Sequence, residues 1–114
     1  MELKVIRADD EVSHIALIGR MDHNGVSVVE LKFLASTASR HKPTIVDMSE
    51  VTFVVSLGIR MLLGAAKSLQ AQGCKIALVK TQPLVAETLR LAKLDQIFVL
   101  ADTEEEALEK ILAK

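Results

Sequence analysis

The 114-residue chain has no tryptophan, no tyrosine, three phenylalanines, two prolines and a single cysteine. Each shortage removes a class of function. One thiol, Cys74, excludes an internal disulfide and a cysteine zinc site, in keeping with a reducing compartment, and its expected role is a small buried residue at the start of a strand. With so few aromatics, bases of a nucleic acid would find few stacking partners. A formal net charge of −1, from 14 basic and 15 acidic residues, provides no basic face for a phosphate backbone, so direct nucleic-acid binding is not expected. No apolar run approaches the roughly 20 residues needed to cross a bilayer, and Met1-Glu2-Leu3-Lys4 lacks the order of a signal peptide. A cytoplasmic protein without membrane insertion is expected. No linker, low-complexity segment or repeat interrupts the chain, which predicts one domain over residues 1–114, long enough to bury roughly two-thirds of its unfolded surface.

The usual signatures of catalysis are absent too. His14, His23 and His41 lack metal-ligand spacing, and His14 alternates within a strand-like run, as a core or edge histidine does. Neither Gly19 to Gly25 nor Gly58 to Gly64 ends in Gly-Lys-Ser/Thr, and no Gly-x-Gly-x-x-Gly occurs. Ser56 stands outside a Gly-x-Ser-x-Gly elbow. The chain is read as a non-enzyme that needs no cofactor and no metal.

Half of the residues are apolar, and their spacing alternates between strand and helix periods. Residues 2 to 7 and 11 to 19 predict two strands joined at Ala8-Asp9-Asp10. Gly19 to Gly25 reads as a loop, followed by a helix from about Val26 to Arg40 with Val28, Leu31, Leu34, Ala35 and Ala38 inward. Thr44-Ile45-Val46 predicts a third strand, Asp47 to Ser49 a turn, and a helix after Ser56 carries Ile59, Leu62, Leu63, Ala66 and Leu69 on one face. Gly73 fits its C-terminal stop, and Lys75 to Val79 a buried strand. Pro83 opens a helix with Leu84, Val85, Leu89 and Ala92 on its apolar face. Ile97 to Leu100 is the last strand, and Thr103 with Glu106 has capping-box spacing before a terminal helix whose first turn is acidic. Strands alternating with helices imply an α/β fold. Its sheet is mixed and mainly parallel, with an N-terminal hairpin and about four crossover or terminal helices.

The stretch from Asp47 to Leu63 is the most informative. A serine at the start of a helix, Ser56, has its hydroxyl near the surface and faces the positive helix end, where a phosphate would be received favourably. It reads equally as an N-cap whose hydroxyl accepts from a first-turn N–H. Asp22, in Asp22-His23-Asn24-Gly25, reads as a turn residue whose carboxylate satisfies local N–H groups.

The Asp47-x-Ser49 segment, Val51, Phe53, Ser56-x-Gly58-Ile59 and Leu62-Leu63 together resemble the STAS domains, above all the bacterial anti-sigma factor antagonists. Gly19-Arg20-Met21-Asp22 is similar to the family's Gly-x-Leu-Asp turn. Gly73 to Leu78 and Leu94 to Phe98 match later segments, so the resemblance covers nearly the whole chain. It implies a STAS-like fold and a regulatory role: binding an ATP-using anti-sigma factor that is also a serine kinase, phosphorylation at Ser56, and reversal by a serine phosphatase. Asp22, His23, Val54, Val55, Leu57, Gly58, Ile59 and Arg60 are then the expected partner-binding residues. Val55 stands where the family usually has Asp, and Leu57 where it has Ser or Thr. These departures keep open a second reading, a non-switching adaptor in a larger assembly such as a stressosome-like particle or a lipid-transport ATPase complex.

Overall fold

The computed structural model describes residues 1–113. Five strands, β1 (Glu2–Ala8), β2 (Ser13–Met21), β3 (Thr44–Val54), β4 (Ile76–Val79) and β5 (Val99–Ala101), lie in sequential order in one sheet. β1 pairs antiparallel with β2, and the remaining neighbours are parallel. The helices are α1 (His23–Ser36), α2 (Ser56–Ala71), α3 (Pro83–Leu91) and α4 (Glu104–Leu112). This is the mixed α/β arrangement expected. Asp9 closes the initial hairpin, its carboxylate accepting from the N–H groups of Glu11 and Val12. Those two residues therefore belong to the turn, and β2 starts at Ser13.

Parallel strands need crossover connections, and helices α1 to α3 supply them. They share one core with a single face of the sheet: Val26 and Phe33 of α1, Leu62 and Leu69 of α2, and Val85 and Leu89 of α3 pack with Ile15, Leu17, Val46 and Leu78. Leu62 has no exposed surface, and truncation of such a leucine to alanine costs about 2–5 kcal/mol. α4 covers the other face, setting Ala107 and Ile111 against Val12, Ile45, Ala77 and Val79. Thr103 caps it by accepting from the Glu106 N–H, as its spacing predicts, while the Glu106 carboxylate reaches the Asp102 N–H.

Several expectations are corrected. β3 runs unbroken through the predicted turn at Asp47. The Asp47 carboxylate does accept from the Ser49 N–H at 2.8 Å, but the local hydrogen bond produces a bulge: Ala16 pairs with Asp47 and Ile18 with Glu50, so the strand bends without reversing. α1 begins at His23, inside the predicted loop, and buries Gly25, Val26, Val29 and Phe33. Val28 and Leu31, expected inward, are 69% and 84% exposed, and Ala35 is also exposed. Apolar residues surround this helix, so spacing alone does not choose a face; packing of Val26, Val29 and Phe33 into the shared core does. In α3, Val85 and Leu89 face the core whereas Leu84 and Ala92 face solvent. Cys74 is half-buried and precedes β4 rather than opening it, and the last strand starts at Val99, after a single helical turn at Leu94–Gln96.

Candidate functional site

Met21 pairs with Val54 at the carboxyl ends of β2 and β3. The next residue on each strand is the N-cap of the following helix, Asp22 for α1 and Val55 for α2. The two helix starts are tied by a hydrogen bond from the Val55 N–H to the Met21 carbonyl at 3.0 Å. Each then places a glycine at its third position. A Cβ on Gly58 would stand 2.5 Å from Cγ and Sδ of Met21, and one on Gly25 would stand 2.2 Å from the Arg20 carbonyl oxygen. Glycine thus lets the first turn of α1 close on the Arg20 backbone and lets that of α2 close on Met21 without displacing its side chain. Asp22-His23-Asn24-Gly25 and Val55-Ser56-Leu57-Gly58 share only the closing glycine, and it is the β2–β3 register that brings the two segments side by side.

The two caps differ chemically. The Asp22 carboxylate accepts from the Gly25 N–H at 2.8 Å, and that bond, with Arg20 nearby, holds its pKa below the ordinary carboxylate value. Val55 has no acceptor, and no side chain caps α2. Ser56 is the first residue inside α2, so its expected role as N-cap is overturned: Val55 has the extended backbone of a cap (φ −98°, ψ 170°). The Ser56 hydroxyl is exposed and is not used by the helix. A first-turn serine with a free hydroxyl remains next to the positive end of the α2 dipole.

Most of the remaining expected residues gather here. Val54, Val55, Leu57 and Ile59, which flank Ser56 in the chain, are half-buried, Gly58 is buried, and Arg60 and His23 are exposed. Arg60 follows Ser56 by one helical turn and so lies on the same side of α2. Arg20, which motif reading did not single out as a site residue, lies with its guanidinium carbon 4.5 Å from the centre of the Phe53 ring and its Nε 3.7 Å from the Asp22 carboxylate. Beside this surface, an open groove of about 260 Å³ between α1 and α2 is lined by Glu30, Leu34, Leu57, Arg60, Met61 and Gly64.

His14 lies on the opposite face of the sheet from the α1–α3 core, 4% exposed. Its Nδ1 is 2.5 Å from the Glu104 carboxylate at the start of α4, and its Nε2 has no partner. Burial pushes its pKa down, against the opposing pull of Glu104 and Asp47. It is a core histidine, apart from the Ser56 surface. Among the described residues no group of three or more His, Cys, Asp or Glu is placed to hold a metal ion, and no helix is long and apolar enough to cross a membrane.

The STAS domain model matches residues 4–107. An anti-sigma F factor antagonist of Lysinibacillus sphaericus is 24% identical over 98 residues, spanning 85% of this chain and 83% of that protein. Among solved structures, an anti-sigma factor antagonist from Mycobacterium paratuberculosis superposes with a TM-score of 0.82 at 24% identity, over 98% of this chain and 96% of that one. The anti-sigma factor antagonist SpoIIAA in its unphosphorylated form gives 0.77 at 22% identity, over 96% of both chains. Their fold has the same extent as this one, and the family match runs from β1 into α4. The chain belongs to the STAS domain family.

Proposed function

We propose that this protein is an anti-sigma factor antagonist that acts in the cytoplasm as a single domain. It binds an anti-sigma factor of the ATP-using serine kinase type while Ser56 is unmodified, and releases it when Ser56 is phosphorylated. The observation that carries the reading is the exposed Ser56, free of any capping duty, in a chain segment whose apolar neighbours Val54, Val55, Leu57 and Ile59 are half-buried. In the kinase step the Ser56 oxygen bonds to the γ-phosphorus of ATP, the bond to the β,γ-bridging oxygen breaks and that oxygen leaves with ADP, and the hydroxyl proton is released to solvent. A serine phosphatase returns the hydroxyl by hydrolysis.

The phosphate brings about −1.5 to −2 charges into this apolar segment. The free chain tolerates it, because the α2 N-terminus and Arg60 offer positive partners and water solvates the rest. The complex does not: a doubly charged group pressed against an apolar contact loses its water, at a cost of several kcal/mol. Asp22 adds like-charge repulsion from the neighbouring helix start and, with His23, contacts the kinase.

The non-switching adaptor remains a second reading because Val55 and Leu57 flank Ser56 with apolar side chains, which suits a permanent contact. Partner capture from cell extract followed by binding measurements on Ser56→Ala and Ser56→Asp separates the two. The switch predicts that Ser56→Ala keeps the partner and Ser56→Asp weakens it. Equal affinity of both variants, with no phosphate on the wild type after incubation with partner and ATP, gives the adaptor.

A further inference from the structure

We infer that the groove between α1 and α2 is a self-association surface, and that its occupant is α1 of a second copy of this chain. Leu34, Leu57 and Met61 give the groove an apolar floor. Gly64 keeps it open: a Cβ there would meet nothing within 4 Å, so packing does not require the glycine, although glycine in a helix interior is less stable than alanine. Leu31 lies one turn from Leu34 on the same side of α1 and is 84% exposed, with Val28 69% exposed beyond it. An apolar groove thus adjoins an unburied apolar ridge on the same molecule.

The charges on the rims are complementary to those of a second copy. Glu30 stands on the α1 side and Arg60 on the α2 side, and neither forms an ion pair among the described residues. In a two-fold pairing the same patch meets itself, so each contact occurs twice. Leu31 of one copy enters the groove of the other, and Glu30 of each copy faces Arg60 of its mate. An acidic rim meets a basic one at both ends, which a surface with one sign of charge could not achieve. The pairing covers Leu57 and Arg60. If the switch described above holds, a self-associated chain therefore withholds the contact surface beside Ser56.

Sedimentation of the purified full chain, without kinase or ATP, tests the pairing apart from the switch. From about 1 μM to about 1 mM the wild type is expected to pass from monomer to dimer. Leu31→Lys, at a site too exposed to affect folding, is expected to weaken the dimer about tenfold or more. Glu30→Arg and Arg60→Glu each weaken it by placing like charges opposite one another, and the double variant recovers most of the wild-type affinity. Circular dichroism checks that each variant is folded. A monomer throughout the concentration range overturns the inference and leaves the groove for a foreign helix. A dimer that is insensitive to Leu31→Lys, or that the double charge exchange does not recover, overturns it equally.

Discussion

Replacing each of the two glycines of α2 by alanine is expected to shift stability in opposite directions. At Gly58 the new Cβ would stand 2.5 Å from Cγ and Sδ of Met21, about 1 Å inside ordinary carbon contact. Met21 has no exposed surface through which to retreat, so the overpacking costs about 1–3 kcal/mol. The better helix propensity of alanine returns at most about 1 kcal/mol, and less in a first turn. Gly58→Ala should therefore destabilise by about 1 kcal/mol. Gly64 has nothing within 4 Å of the same atom, and Gly64→Ala should stabilise by about 0.5–1 kcal/mol. Urea unfolding at an m-value of roughly 1–3 kcal/mol/M would then split the two midpoints by about 1 M. A double-mutant cycle sharpens the test. Met21→Ala alone costs about 2–5 kcal/mol but less in the Gly58→Ala background, where the added methyl occupies the vacated space. If both alanine variants shift the midpoint equally in the same direction, the close packing of α2 on the end of β2 is wrong.

Two further perturbations probe the caps and the second core. Asp22→Asn retains a good N-cap acceptor for the Gly25 N–H, so stability within about 0.5 kcal/mol of wild type is expected, together with altered partner affinity or phosphorylation rate. A large loss of stability with unchanged partner behaviour would limit Asp22 to its structural role. His14 has a folded pKa below its ordinary value because of burial. Below about pH 6.5 the unfolded chain takes up a proton that the native chain resists, so this residue's contribution to stability is complete above that pH and is lost as pH falls. Urea midpoints for the wild type should consequently drop more between about pH 8 and pH 5.5 than those of His14→Leu. Equal slopes would place the protonated imidazole comfortably in the fold.

The alternation of elements was legible because strands and helices differ so clearly in apolar period. The hairpin could be placed from Asp9, the α3 start from Pro83 and the α4 start from Thr103, each of which fixes backbone or satisfies N–H groups locally. The inward face of α1 was not legible, since Val26, Val28, Val29, Leu31, Phe33 and Leu34 offer two competing stripes that only tertiary packing resolves. The course of β3 was hidden for a related reason: Asp47 makes its turn-like hydrogen bond within a strand held on both sides by neighbours. Ser56 could be placed at a helix start, but its rank within that start depends on Val55, which takes the cap backbone conformation without a capping side chain. The meeting of the two helix starts depends on strand register, and sequence spacing carries no register between β2 and β3.

Phosphorylation of Ser56 as the event that ends partner binding is the centre of the functional account. The most direct measurement incubates the purified chain with its captured anti-sigma factor and ATP, maps the modification by mass spectrometry, and compares partner affinity of the modified and unmodified chains. The account predicts one phosphoryl group, located on Ser56 and absent from Ser56→Ala, with affinity for the partner at least about tenfold weaker after modification. A chain that stays unmodified, or one that carries phosphate on Ser56 and binds as tightly as before, contradicts it.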